Sequence, residues 1–314
     1  MLASVPLFRA IKENIPGCKI TLVVSPENIK AVRQNEFISE LVLFDKKKIY
    51  SIRYLKYLVK SLRGKIFEIG LVPTTISISF TSGLLLRMAK CNYRIGPKSL
   101  DGKSFSSSWL FNEAVDFDWR ENENLHVTQR ILKIVEPLRI TTSNLKSHIL
   151  ITEKERLCAK EFFRGVEKFK IGFHIGAGKI QNRWNISKFS ELITRLNSKY
   201  NTFFFFTVGQ LEEELFSELE EIIDVKLTTL RTQTIPEITA IIDIADLFIS
   251  NDTGIMHVAG ATRCPMISLF GPTNPKVWAP IGEKKYFIKK GEDINSIQVD
   301  DVLKIAEGIL NETN

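Results

Sequence analysis

The stretch "SNDTGIMHVAGA", residues 250 to 261, sets Asp252, Thr253 and Gly254 directly after the apolar run "DLFI" and ahead of a small-residue helical run carrying His257. A turn from strand into helix exposes backbone N–H groups, which attract an anion. Gly254 would let that anion approach the backbone closely, and Thr253 would add a hydroxyl donor. Asp252 would repel it, so its expected role is to cap the helix or to accept a hydrogen bond from a sugar hydroxyl. His257 lies one helical turn beyond Thr253 and shares its face. Taken alone, the same residues would also describe a capped, tightly packed helix with a satisfied histidine.

A second loop follows the run "KIGFHI": Gly176, Ala177 and Gly178, then Lys179, Gln181, Asn182 and Arg183. Glycines at a strand end with cations just behind them suit a phosphate cradle. The loop is not a dinucleotide fingerprint, because Gln181 stands where the third glycine is needed. Nor is it a P-loop, because Ile180 follows "GK". A third stretch, "LFGPTNPKVWAP" (269 to 280), holds Thr273 and Asn274 between prolines that fix the backbone. Asp116 and Asp118 have the spacing of a carboxylate pair for a metal-diphosphate, yet their surroundings read as a solvated loop. His126, His148 and His174 show no ligand spacing. The cysteines Cys18, Cys91, Cys158 and Cys264 form no C-x-x-C pair, so neither a metal site, a cofactor nor a disulfide framework is expected.

These loops need strands to position them. Short β-branched or aromatic runs alternate with helical-period segments along the whole chain, the pattern of a parallel sheet covered by helices. The expected strands are 19 to 24, 40 to 45, 66 to 72 and 93 to 96 in the first half. In the second half they are 170 to 175, 202 to 208, 224 to 229, 246 to 250 and 265 to 271. "TFFFFTV" lacks polar alternation and should be buried on both faces. With 314 residues the chain exceeds one ordinary core, and the polar segment 136 to 147 places a boundary between domains at 1–145 and 146–314. Both are expected to be doubly wound α/β domains, which bind ligands at the carboxyl ends of their strands.

The net charge of +7 is uneven, +9 over residues 1 to 145 and −2 over the remainder. The basic half should attract anionic partners. Arg53, Lys56, Lys60 and Arg63 recur at helical spacing opposite Leu55, Leu58, Val59 and Leu62. Segment 51 to 63 therefore reads as a basic amphipathic helix, either a solvated face or a contact for anionic lipid headgroups or a phosphorylated acceptor. Nucleic acid is not an expected partner, since charge is the sole feature in its favour and no recognition module is present. No apolar run reaches the roughly 18 residues of a membrane span. The opening segment, with Arg9, Lys12 and Glu13 among apolar residues, reads as an amphipathic helix and not a secretion signal. A cytoplasmic protein, peripheral at the inner membrane face, is the expectation.

Taken together, "FHIGAG…RW…KFSEL", "TIPEITAIIDIADLFISNDTGIMHVAGA" and "CPMISLFGPTNPKVWAP" resemble glycosyltransferase family 9, the heptosyltransferases of lipopolysaccharide core assembly. The resemblance implies a GT-B architecture, two Rossmann-like domains facing across a cleft, acceptor on the first and nucleotide-sugar on the second. It also implies that the last helix, about 296 to 312, returns to the first domain. Transfer would be inverting and metal-independent, with ADP-heptose the implied donor and an anionic lipid-linked saccharide the acceptor. Carried over residue by residue, the donor site comprises Asp252, Thr253, Gly254 and His257, with Gly176, Ala177 and Gly178 on the other phosphate side. Glu212 or Glu213 would bind the ribose, and Gln233 and Thr234 would lie near the base.

Two departures accompany the resemblance. The family's lysine two residues before its tryptophan is Asn182 here, with Arg183 beside it, and a guanidinium is not equivalent to an ammonium. The family's opening strand and Gly-Asp, whose Asp is its proposed general base, align just before Met1. The expectations are a first-domain sheet lacking that strand, with two unpaired edges, and a translation start upstream of Met1. Donor binding without efficient turnover is the alternative. No other carboxylate declares itself as the base. A dinucleotide-dependent oxidoreductase is disfavoured by the absent fingerprint.

Overall fold

The computed structural model describes residues 1–210 and 212–313. The chain divides into two compact units, Met1–Leu145 and Lys146–Asn314.

In the first unit the helix Val5–Asn14 buries Val5, Leu7, Phe8 and Ala10, as the amphipathic opening requires. Arg9 on the same helix is buried, with Nη1 donating to the Asn144 carbonyl at 2.8 Å and the guanidinium over the Phe37 ring. Strand β1 (Thr21–Val24) runs parallel to β2 (Glu40–Leu43). Strand β3 (Ile69–Leu71) pairs parallel with β4 (Tyr93–Leu100), which also pairs with the short β5 (Lys103–Ser104) and with β6 (Glu113–Phe117). These strands form two separate sheets, and β1 and β3 each have a ladder partner on one side only among the described residues. One apolar cluster nevertheless underlies both, because Leu58 and Leu62 of the helix Ile52–Arg63 meet Val42 from one sheet's side and Cys91 and Phe67 from the other's. Ser51 starts that helix by accepting from the Tyr54 amide, and Gly64 ends it.

Strand β6 was not expected. It carries Asp116 within the strand, and Asp118 just after it, in place of the anticipated solvated loop. The two carboxylates serve separate partners: Asp116 accepts from Ser99 Oγ at 2.6 Å and Lys98 Nζ at 3.1 Å, while Asp118 pairs with Arg120. That pairing holds the Asp118 carboxyl down at about 2.

The second unit contains a parallel sheet in the order β12-β11-β10-β7-β8-β9. Its strands are β7 (Phe169–His174), β8 (Thr202–Thr207), β9 (Leu227–Leu230), β10 (Leu247–Asn251), β11 (Met266–Phe270) and β12 (Lys285–Lys289). The chain lays β7 first, moves out through β8 and β9, then returns to place β10 on the other side of β7. That reversal makes a topological switch point between β7 and β10, where a crevice opens at the carboxyl ends of the strands. Phe173, Phe189, Phe204, Phe206 and Trp184 fill the core beneath. Strand β12 escaped notice because only Ile288 is fully buried and lysines stand at its ends, as on many sheet edges.

The final helix, Val299–Thr313, places Val302, Ala306, Ile309 and Leu310 in the core of the second unit, with Ile267 and Leu269 of β11. This apolar stripe is wide enough to bury in the unit that carries it.

Candidate functional site

The loops after β7 and β10 flank the switch point, and Asn251, the last residue of β10, ties them together. Its Oδ1 accepts from the Trp184 amide at 3.3 Å and its Nδ2 donates to the Ile175 carbonyl at 2.8 Å. Trp184 is fixed further by its indole N–H, which donates to the Ile297 carbonyl at 3.0 Å. Asn251 is fully buried and was missed at the sequence level. Its partners lie far away in the chain, and only its place before Asp252 hinted at a role.

Between these anchors the first loop passes through buried Gly176 and Ala177 to exposed Gly178, then a 3-10 turn over Ile180–Asn182. A side chain on Gly178 or Gly254 would meet no protein atom within 4 Å, so both glycines border open space. Arg183 donates through Nε to the Ala177 carbonyl at 2.8 Å, bracing the loop against itself.

Asp252 does not cap the helix Gly254–Gly260. Thr253 is the N-cap, without a side-chain bond, and Asp252 turns the other way to accept from Asn182 Nδ2 at 3.1 Å and from Thr273. The helix is seven residues long, so the exposed amides of the turn, more than an extended dipole, define its polarity. Burial raises the Asp252 carboxyl above its usual range, and Thr273 and Lys179 pull it down. The third stretch thereby joins the site through Thr273, whereas Asn274 caps the short helix Pro275–Trp278. His257 is half-buried on the helix Gly254–Gly260.

The structure distinguishes the two candidate acids. Glu212 reaches over the ends of β7 and β8. Its Oε2 accepts from the Gly209 amide at 2.9 Å, and a Cβ on Gly176 would come within 2.3 Å of its Cγ, so a side chain on Gly176 would displace Glu212. Below it His174 is fully buried, with Nδ1 2.8 Å from Thr207 Oγ1; burial keeps the imidazole below its ordinary value, against the opposing effect of Glu212. Glu213 faces Arg231 in an exposed ion pair, and it is Glu212 that lies nearest Gly176 and Gly209. Thr234 also acts locally, forming a capping box with Glu237 at the start of the helix Ile235–Asp243. Gln233 lies just before it, beyond the end of β9, its Oε1 accepting from the Thr232 amide at 3.1 Å.

Gly176 to Gly178, Asn182, Arg183, Glu212 and Asp252 to Gly254 thus gather at one end of β7, β8 and β10. The arrangement offers open approaches to two glycines, with two carboxylates to receive hydroxyls.

The family model of glycosyltransferase family 9 (heptosyltransferase) matches residues 55–302. Lipopolysaccharide heptosyltransferase 3 of Escherichia coli K12 is 26% identical over 305 residues, covering 89% of this chain and 81% of that protein. The structure of the glycosyl transferase family 9 protein from Veillonella parvula superposes with a TM-score of 0.85 at 21% identity, covering 99% of this chain and 93% of the other. E. coli ADP-heptose lipopolysaccharide heptosyltransferase II gives 0.80 at 20% identity, covering 100% and 96%. The last two establish the fold, and the family model spans most of the chain. It follows that the chain belongs to glycosyltransferase family 9 and is a glycosyltransferase of the GT-B class, built from two Rossmann-like units.

Proposed function

We propose that this glycosyltransferase moves heptose from ADP-heptose, with inversion and without a metal, onto a lipid-linked saccharide of the lipopolysaccharide core. The observation that carries the donor side of this reading is the convergence of Asp252, Asn182 and the two open glycines at the β7/β10 switch point. The names of the E. coli relatives, a lipopolysaccharide heptosyltransferase and an ADP-heptose enzyme, support the choice of sugar and nucleotide. In this reading the amides beside Gly178 and Gly254 hold the diphosphate and stabilise the charge that builds on it as the glycosidic bond breaks. Glu212 accepts from the ribose hydroxyls, Gln233 lies toward the base, and Asp252 accepts from a hydroxyl of the sugar. A general base takes the proton of the acceptor hydroxyl. Incubation with ADP-heptose and heptosylated core lipid, followed by mass spectrometry, should give an acceptor heavier by one heptose together with free ADP. Donor binding with no product would identify a nucleotide-sugar-binding protein instead.

The ribose assignment makes a contrast between neighbours. Glu212→Gln should weaken ADP binding by about 10-fold, the loss of one hydrogen bond to a charged acceptor. Glu213→Gln should stay within about twofold, since exposed ion pairs contribute little. Equal effects in calorimetry would remove Glu212 from the site.

The acceptor side belongs to a membrane surface in this reading. The helix Ile52–Arg63 buries only Leu58 and Leu62 and leaves Ile52 and Leu55 exposed beside Arg53, Lys56 and Lys60, with Tyr50 91% exposed just ahead. Its apolar residues are therefore not all opposite the cations, as the spacing suggested; some stand among them, which suits an interfacial helix. No helix among the described residues is long and apolar enough to cross a membrane. The triple change Arg53→Gln, Lys56→Gln, Lys60→Gln should cut partition onto phosphatidylglycerol vesicles by roughly 100-fold, at about 1 kcal/mol per cation. Unchanged co-sedimentation would refute the contact.

A further inference from the structure

The loop after β7 carries two cations, Lys179 and Arg183, at either end of the 3-10 turn Ile180–Asn182. They are not equally available. The Arg183 guanidinium is tethered by Nε to the Ala177 carbonyl, whereas the ammonium of exposed Lys179 makes no hydrogen bond or ion pair with the described residues. Between them Asn182 is 6% exposed; Nδ2 holds the Asp252 carboxylate, and Oδ1 has no partner. A buried carbonyl oxygen left unpaired costs about 1–3 kcal/mol. Its partner must be a donor, such as a hydroxyl.

Resting on the donor reading above, we propose that Lys179 is the cation that pairs with the donor's diphosphate, while neutral Asn182 positions Asp252 beside it. Position 182 is committed to Asp252 through an amide, so the loop's positive charge comes from the other end of the same turn. An ammonium on a four-carbon stem can swing from solvent onto an arriving phosphate, unlike a guanidinium already braced against backbone. Lys179 is also the cation that offsets the burial of the Asp252 carboxyl.

Calorimetric titration of the full-length protein with ADP at low and high salt tests the assignment. Lys179→Gln, a change at an exposed site, should lower affinity by about 10-fold at low salt, with the deficit shrinking as salt rises. Lys179→Arg, which keeps a positive charge at the same place, should stay within about threefold, whereas any loss in Arg183→Gln, whose guanidinium braces the loop, should not change with salt. A tenfold loss in Arg183→Gln with Lys179→Gln within twofold of wild type overturns the assignment and leaves the donor reading intact. Wild-type protein that binds no ADP at all overturns both.

Discussion

Replacing Gly254 with valine should abolish measurable ADP binding, a loss on the order of 100-fold or more, while the melting temperature stays within about 2 °C of wild type. The two halves of that result have separate causes. A Cβ at Gly254 meets no protein atom within 4 Å, and the backbone there does not occupy the left-handed region, so the folded protein accommodates the side chain. Valine is also a better helix residue than glycine at the start of Gly254–Gly260. The added methyls therefore stand in the open space that the donor's phosphate must enter to reach the turn's amides. Unchanged ADP affinity in calorimetry would mean that the anion does not approach this glycine.

Asp252→Asn should lower the kcat/KM for heptose transfer by roughly 10- to 100-fold, the range for losing a charged acceptor of one hydrogen bond, and should make the ligand-free protein more stable. Burial raises the Asp252 carboxyl in the folded state. A raised carboxyl favours the folded protein below the unfolded-state value, and that advantage is lost as pH rises through the folded-state value. At neutral pH the ionised group is then a cost to the folded protein, which asparagine removes while keeping a carbonyl oxygen to accept from Asn182. The melting temperature should rise by about 2 °C at pH 7, and the difference should vanish in acid, where both side chains are neutral. Calorimetric scans at both pH values, alongside transfer assays, check the pair of effects. Equal melting at all pH values with full activity would remove Asp252 from the donor site.

The second unit was the more legible in sequence, for a physical reason. Strands buried on both faces are continuous apolar runs, and "TFFFFTV", "KIGFHI" and "PMISLFG" all became strands of its parallel sheet. Strands β6 and β12 lack that signature because they are partly exposed and carry charged residues. The glycine loops were readable because a strand precedes each of them, and strand ends are where a parallel sheet binds ligands. What stayed hidden depended on contacts between distant residues. Glu212 and Glu213 are adjacent, and only the path of the chain beyond Gly209 decides which faces Gly176. Asn251 reads as one more polar residue of a turn until its bonds to Trp184 and Ile175 are seen. Thr234 fits a ligand contact or a capping box equally well in sequence, and Glu237 three residues later forms the box.

Hydrogen–deuterium exchange of the full-length protein with and without saturating ADP tests the donor site most directly. Protection concentrated in peptides spanning 175 to 184, 209 to 215 and 251 to 258 is the predicted result. Protection confined to 163 to 169, 199 to 202 and 243 to 247, at the opposite ends of the same strands, would contradict it.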